Sequence, residues 1–210
     1  MVRPRKDERI DIKTRAVESA ARLFVERGTD AVTMQDIAAE VGCRAPALYR
    51  YFPNKEALLL AVHDDGFRRL YAHKAAAGRT AGDDAYERLR LGGLAYVRFA
   101  LENPNLYELM FIERGPFLRL NALRAAGNAE AEDIGQRSLE FLKTSILACQ
   151  KSGYLEGLDP DAAAFTFWSV VHGAVSLALR RRGPFHAVEP ERIVAQAVET
   201  MMALVARTSR

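Results

Sequence analysis

Apolar residues recur every three or four positions through most of this chain, which is the spacing of one face of an α-helix. Nowhere do apolar and polar residues alternate between turn signals in the way that predicts a β-strand. The pattern therefore predicts an all-α protein of about nine helices.

Glycine, proline and asparagine mark where these helices begin and end. In the first half we predict a basic arm over residues 1–8 and helices over 9–27, 34–41, 45–51 and 55 to about 76. In the second half we predict helices over 84–102, after Asn103, up to Gly153, over 160–182 and from about 190 to 207.

The most informative local pattern is TMQDIAAEVGCRAPALYRYF, residues 33–52. Thr33 and Asp36 have the spacing of a capping box that starts a helix. Gly42 stands where the chain must turn sharply, and Pro46 suits the first turn of the next helix. Two short helices joined by a tight turn are typical of a helix-turn-helix, whose second helix enters the major groove of DNA.

The placement of charge agrees with a DNA partner. The net charge is +3; residues 1–55 carry 11 Lys+Arg against 8 Asp+Glu, and the rest of the chain carries 19 of each. Arg44 and Lys55 fall at predicted helix N-termini, where a cation opposes the helix dipole. Contact with a base edge or a phosphate offsets that cost, and an ordinary solvated charge is the alternative. The hydroxyls of Tyr49 and Tyr51 can bond phosphates or can pack half-buried.

The residues favour no enzyme. Cys43 and Cys149 fit no zinc spacing, the four histidines are scattered, and no Ser-His-acid order or pair of carboxylates stands out. We therefore expect no catalytic residue, no metal and no cofactor. The sequence has no run of 18 apolar residues and no apolar stretch near residue 1, so we expect no membrane partner and a reduced, cytoplasmic setting.

The segment IAAEVGCRAPALYRYFPNKEALL resembles the DNA-binding domain of TetR-family one-component transcriptional regulators. The residues that match the family pattern are Ile37, Ala38, Gly42, Leu48, Tyr49, Phe52, Lys55 and Leu58. The resemblance implies an all-α homodimer that binds a palindromic operator on double-stranded DNA and releases it when an apolar or aromatic small-molecule effector binds the C-terminal domain. We accordingly expect a DNA-binding domain over residues 1–54 and a ligand-binding and dimerisation domain over residues 55–210, with helix 55–77 connecting them.

The resemblance also implies roles for individual residues. The family's base-reading positions fall on Arg44, Ala45 and Ala47, and its phosphate contacts fall on Thr33, Tyr49, Tyr51 and Lys55. Arg44 stands where the family usually has a capping serine. Because a guanidinium can bond guanine through two parallel hydrogen bonds, we hypothesise that Arg44 reads a guanine in each half-site.

Residues 95–182 are similar to the TetR-like subgroup named for a Trp…His-Gly signature, which Trp168, His172 and Gly173 supply here. Aromatic residues are concentrated on the middle helices, a composition typical of ligand pockets between helices and also of plain core. The candidate ligand-binding residues are Tyr86, Phe99, Tyr107, Phe111, Phe117, Phe141, Trp168 and His172.

The helix over 160–182 and the last helix are apolar on two sides. One side can pack within its own chain, and the other can pair with the same helices of a second copy to form a four-helix bundle. The candidate dimerisation residues are Val171, Ala174, Ala178, Ile193, Ala197, Met201 and Leu204. A deep core within one chain is the structural alternative, and a helix-turn-helix regulator whose C-terminal domain binds another protein is the functional one.

Overall fold

The computed structural model describes residues 6–111, 134–183 and 189–207. In the first range side chains are described from Ile12 onward, and in the second from Gly135 onward. Over these ranges the chain forms nine helices and no strand, which confirms the all-α prediction. The helices are α1 (Lys6–Arg27), α2 (Met34–Val41), α3 (Ala45–Tyr49), α4 (Lys55–Thr80), α5 (Ala85–Glu102), α6 (Pro104–Phe111), α7 (Ile134–Lys151), α8 (Pro160–Leu179) and α9 (Pro190–Arg207).

The chain divides into two compact units. Unit 1 comprises Met1–Phe67 and Asn105–Glu132, and unit 2 comprises Arg68–Pro104 and Asp133–Arg210. Helix α4 belongs to both, because the division falls inside it. Packing alone defines these two units. The functional boundary expected after residue 54 therefore stays a prediction.

In unit 1, α1 packs on α2 and α3, and α2 packs on α3. The apolar stripes of these three helices and the start of α4 form a core that includes Ala20, Leu23, Phe24, Ile37, Leu48 and Leu58. Gly66 of α4 permits a second close contact, since a Cβ there would lie 2.5 Å from the Sδ of Met110 on α6. A helix of five residues such as α3 has almost no stability of its own, so this packing is what holds it in place.

In unit 2, α5 packs on α7, α8 and α9, and α8 packs on α7 and α9. The phenol of Tyr86 on α5 donates a hydrogen bond of 2.9 Å to the backbone oxygen of Met202 on α9. Arg90 forms ion pairs with Glu87 on its own helix and with Glu199 on α9. These polar contacts fix how α5 and α9 meet beside an apolar core.

Helix α8 is long and apolar enough to cross a membrane, judged by length and composition alone. A single such helix also occurs in the core of a compact protein. Here one side of α8 is buried in unit 2, with Phe167, Val171 and Val175 among the covered residues.

Candidate nucleic-acid interface

A complete capping box starts helix α2. The backbone N–H of Asp36 donates to Thr33 Oγ1 at 3.2 Å, while Thr33 donates to the Asp36 carboxylate from its backbone N at 2.8 Å and from Oγ1 at 2.6 Å. The side-chain hydrogen bond from Thr33, followed by the backbone one, lowers the pKa of Asp36. The predicted box is therefore present. It uses both donors of Thr33, so the expected phosphate contact requires Thr33 to give up a bond to Asp36.

Gly42 makes the turn between α2 and α3. Its φ of +77° lies in the left-handed region, where a side chain is strained. The backbone N–H groups of Gly42 and Cys43 close the turn on the carbonyl oxygens of Ala39 and Ala38, at 3.1 and 2.9 Å. The turn sets the direction in which α3 leaves α2.

Helix α3 presents an exposed N-terminal end. Arg44 is its N-cap, with an extended backbone and no side-chain capping bond. The guanidinium is thus not used to cap its own helix, and the residue is exposed, as are Pro46 and Tyr49. Ala45 and Ala47 are half-buried and small, which leaves the helix surface open to close approach by a base edge.

The C-terminal end of α3 differs from its predicted length. The regular helix ends at Tyr49 rather than at 51, and Tyr51 and Phe52 then donate backbone hydrogen bonds of 2.9 and 3.0 Å to the carbonyl oxygen of Leu48. Pro53 explains the early end, because the residue before a proline avoids the helical region. Tyr49 is 43% exposed, whereas Tyr51 is half-buried.

Lys55 lies at the start of α4, and its ammonium forms hydrogen bonds within unit 1. Its Nζ donates to the carbonyl oxygens of Thr29 at 2.7 Å and Val32 at 3.2 Å, with that of Asp30 at 3.5 Å. These carbonyls belong to the turn that connects α1 to α2, which no helix satisfies. The ammonium therefore holds the turn between α1 and α2, and a phosphate contact by Lys55 stays a prediction.

Two further basic residues at this end of the molecule were not among the predicted sites. Arg50 follows α3 directly and is exposed beside Tyr49. Arg22 of α1 pairs with Glu26 on its own helix and with Glu40 on α2, which ties the two helices at the surface. The order Tyr-Arg-Tyr at residues 49–51 is a sequence signal for Arg50, because it places a basic residue between two candidate phosphate contacts. No local pattern indicates that Arg22 pairs with Glu40, a residue 18 positions away.

The candidate ligand-binding residues lie in several groups across the two units. In unit 1, the ring of Phe111 contacts those of Phe67 and Tyr107 at centroid distances of 5.1 and 4.9 Å. In unit 2, Phe99 meets His73 at 5.5 Å, Phe141 meets Tyr71 at 5.3 Å, and Tyr86 meets Tyr154 at 5.3 Å. Phe117 lies outside the described residues.

Trp168 and His172, the remaining two candidates, share a hydrogen-bonded group with Tyr96. The indole Nε1 donates to the Tyr96 hydroxyl at 3.4 Å, and that hydroxyl is 3.2 Å from His172 Nδ1. The hydroxyl accepts from the indole, and the tautomer of His172 decides whether it donates to Nδ1 or accepts from it. Burial, with a smaller effect from Arg180, lowers the pKa of His172, which favours the neutral imidazole.

The dimer candidates divide into buried and outward residues. Val171 and Ala178 are buried inside unit 2, so they cannot also form the outer face of α8. That face instead carries Val170 and Leu177, which is 54% exposed, beside half-buried Ala174. On α9, Leu204 is 59% exposed, and the other predicted residues Ile193, Ala197 and Met201 are half-buried. We call Val170, Ala174, Leu177, Ile193, Ala197, Met201 and Leu204 the outer face of α8 and α9.

The cysteines of the described ranges are packing residues. Cys149 is fully buried and donates from Sγ to the backbone oxygen of Ala85 at 3.2 Å, and burial raises its pKa to about 11. Cys43 is half-buried beside the turn, and burial raises its pKa too. No cluster of side chains that could hold a metal ion occurs in the part of the chain whose structure is described.

Two family models match the chain. Residues 16–62 match the family described as bacterial regulatory proteins, tetR family, and residues 89–201 match the family described as Tetracyclin repressor-like, C-terminal domain. An uncharacterized HTH-type transcriptional regulator of Mycobacterium tuberculosis is 32% identical over 147 residues, which are 70% of this chain and 63% of that protein. A second uncharacterized regulator of Mycobacterium tuberculosis is 30% identical over 167 residues, which are 78% of this chain and 68% of that protein.

A solved structure shows the same fold. It is a bacterial regulatory protein in the TetR family from Rhodococcus RHA1, with a TM-score of 0.65 and 24% identity, and the match covers 92% of this chain and 96% of that one. Members of the family are transcriptional regulators that bind DNA and act as dimers, so the prediction that this protein is not an enzyme is confirmed. The Trp…His-Gly subgroup stays a resemblance. The capping box, the Gly42 turn and the two family matches together place this chain in the TetR family of helix-turn-helix transcriptional regulators.

Proposed function

We propose that this regulator is a cytoplasmic repressor that binds a palindromic operator as a homodimer and releases it when a small molecule binds its C-terminal domain. The observation that carries the proposal is the exposed N-terminal end of α3, where Arg44 has no capping role and the small residues Ala45 and Ala47 follow it in the chain. An α-helix presented in this way fits the major groove, which displays a different donor and acceptor pattern for each base pair.

The outer face of α8 and α9 supports the dimer. Two packed helices that each turn apolar side chains outward leave a surface that a second copy can cover by the same residues. Symmetric pairing presents two recognition helices to DNA. They must be separated by about 34–36 Å, or a compatible multiple, to enter successive grooves.

Helix α4 supports a route by which a ligand could release DNA. It begins at Lys55 in unit 1 and continues without interruption to Thr80 in unit 2. Lys55 holds the turn that ends immediately before Thr33, the N-cap of α2. A displacement of α4 is thereby passed to the start of the helix-turn-helix. A coupling of ~1–3 kcal/mol changes DNA affinity by about 5–150-fold.

Replacing Lys55 distinguishes stabilisation of the turn between α1 and α2 from a contact with a DNA phosphate. We expect Lys55→Met, which keeps an unbranched apolar chain up to the ε position and removes the ammonium, to destabilise the protein by about 1–3 kcal/mol, because turn carbonyls lose their donors. Operator affinity should fall, but the slope of log K against log[salt] should stay that of the wild type.

The control is Arg50→Ala, since Arg50 is exposed and free to meet a phosphate. We expect this change to reduce the slope by about 0.9 for each phosphate that is no longer neutralised, or about 1.8 for a dimer. If Lys55→Met has unchanged stability and its slope falls by that amount, Lys55 contacts a phosphate and does not stabilise the turn.

The proposed function is tested by selecting binding sites from random duplex DNA with purified protein and then measuring affinity for the enriched sequence as salt is varied. We expect an inverted repeat, bound by two copies of the chain, with affinity that falls steeply as salt rises. An enriched sequence without two-fold symmetry would contradict the palindromic operator. No enrichment by protein freed of bound small molecules would contradict operator binding itself.

A further inference from the structure

Unit 2 contains a buried ammonium that DNA binding does not use. Lys74 lies on α4 and is only 7% exposed. Its Nζ donates to the backbone oxygen of Ser138 on α7 at 3.1 Å and lies 3.4 Å from Ser138 Oγ. The ring of Phe141, one turn further along α7, has its centroid 5.2 Å from the same Nζ. The contacts of this cation are thus a carbonyl, a hydroxyl and an aromatic face, all of them neutral.

These contacts do not make Lys74 a helix cap. A lysine that caps a helix bonds the free carbonyls of the last turn, whereas Ser138 lies in the second turn of α7, far from its end at Lys151. Among the residues whose structure is described, no carboxylate pairs with Lys74. Burial lowers the pKa of Lys74 to about 8, so the side chain is still mainly protonated near neutral pH. A buried positive charge held only by neutral groups is costly.

An aromatic surface leads from this ammonium toward solvent. Phe141 is half-buried, and its ring also meets the ring of Tyr71 edge-on at 5.3 Å. Tyr71 lies one turn before Lys74 on α4 and is 38% exposed. Side by side, the cation and the two rings offer one polar and one apolar contact surface, which is the combination that fixes the orientation of a small molecule.

We propose that Lys74 and Ser138 bind the charged end of the effector, and that the effector is an organic monocarboxylate whose apolar body packs against Phe141 and Tyr71. The proposal rests on the proposed function, since it names the chemistry of the ligand that releases DNA. A single negative charge balances the single ammonium, whereas a dianion such as a phosphate monoester leaves an excess negative charge in a poorly solvated place. The Ser138 hydroxyl can donate to the second carboxylate oxygen.

Matched acids and amides test this chemistry directly. The probes are benzoate, 2-naphthoate, octanoate and dodecanoate, each compared with its primary amide for release of the selected operator. We expect at least one acid to act at a concentration about 10–100-fold lower than its amide, the range for a hydrogen bond to a charged group. Lys74→Met should abolish that preference and keep operator affinity.

Two controls keep a structural effect apart from recognition. Lys151→Met removes an exposed lysine from the last turn of α7 and should leave the preference for the acid unchanged. Because Lys74→Met removes a buried charge, we expect it to fold with an undiminished melting temperature. As an independent measurement on the wild type, NMR titration of the Lys74 side chain should show its pKa rising when the acid is bound, since a carboxylate stabilises the charged form.

The outcomes are distinguishable. Equal potency of every acid and amide, an acid preference that survives in Lys74→Met, or an unchanged pKa of Lys74 in the acid complex would each overturn the carboxylate site while leaving the proposed function standing. Operator binding with no release by any of the eight probes would overturn it as well. Failure of the wild type to select an operator would instead overturn the proposed function.

Discussion

Leu177→Glu should convert the protein into a monomer and abolish tight operator binding. Leu177 is 54% exposed on the outer face of α8, so a carboxylate is harmless in the isolated chain. In a symmetric dimer the substitution occurs twice, and each copy buries an unpaired charge in an apolar contact. A monomer presents one recognition helix instead of two, which lowers operator affinity by about 100- to 10,000-fold. Sedimentation velocity at micromolar concentration and DNA titration of the same sample measure both effects.

Leu158→Glu is the matched control for this substitution. Leu158 is an equally exposed leucine, but it precedes the Asp159 cap of α8 and lies outside the outer face. We expect Leu158→Glu to remain dimeric, with the operator affinity of the wild type. A Leu177→Glu protein that sediments as a dimer would mean that another surface forms the interface.

Local patterns predicted the parts of the fold that depend on near neighbours. Helix α2 begins and ends at the predicted residues because its signals lie within ten positions: the Thr33–Asp36 box at one end and Gly42 at the other. The predicted start of α8 after Asp159 is confirmed for the same reason, since the Asp159 carboxylate accepts from the backbone N–H of Ala162 at 2.8 Å.

Features that depend on residues far apart in the chain could not be predicted from local sequence patterns. The pattern placed Lys55 at a helix start, but only the fold brings it to the carbonyls of Thr29 and Val32, more than twenty residues earlier in the chain. Lys74 gave no signal at all in the sequence. A lysine on an amphipathic helix is ordinarily solvated, and its burial against Ser138 follows from how α4 and α7 pack.

The outer face of α8 shows a different limit. This helix is apolar on two sides, so its periodicity identifies both stripes and does not say which one meets the chain's own core. The structure places Val171 and Ala178 inward and Val170 and Leu177 outward. The concentration of aromatic residues on the middle helices similarly identified candidate ligand contacts, but the assignment of each residue to core or ligand contact requires the positions of several helices at once.

Arg44→Ala should relax the sequence preference of the protein more than it weakens binding to DNA in general. A guanidinium that bonds guanine through two hydrogen bonds contributes ~1–3 kcal/mol of discrimination, and a dimer carries two. We therefore expect the preference for the operator over the same site with both guanines replaced to fall by about 30-fold or more. Affinity for random DNA should fall only slightly. Competition titrations of wild type and variant against both duplexes give the two affinities.

Two further variants identify the source of the preference. Arg44→Lys keeps the positive charge and loses the planar fork, so it should retain affinity for random DNA and still lose most of the discrimination. Arg50→Ala removes a nearby exposed charge at the other end of α3 and should weaken both duplexes equally. If Arg44→Ala selects the same sequence as the wild type from random DNA, base reading belongs to other residues of α3. In that case Arg44 is only a tolerated replacement for a capping residue at the N-cap of α3, and its lack of a capping hydrogen bond has no role in base recognition.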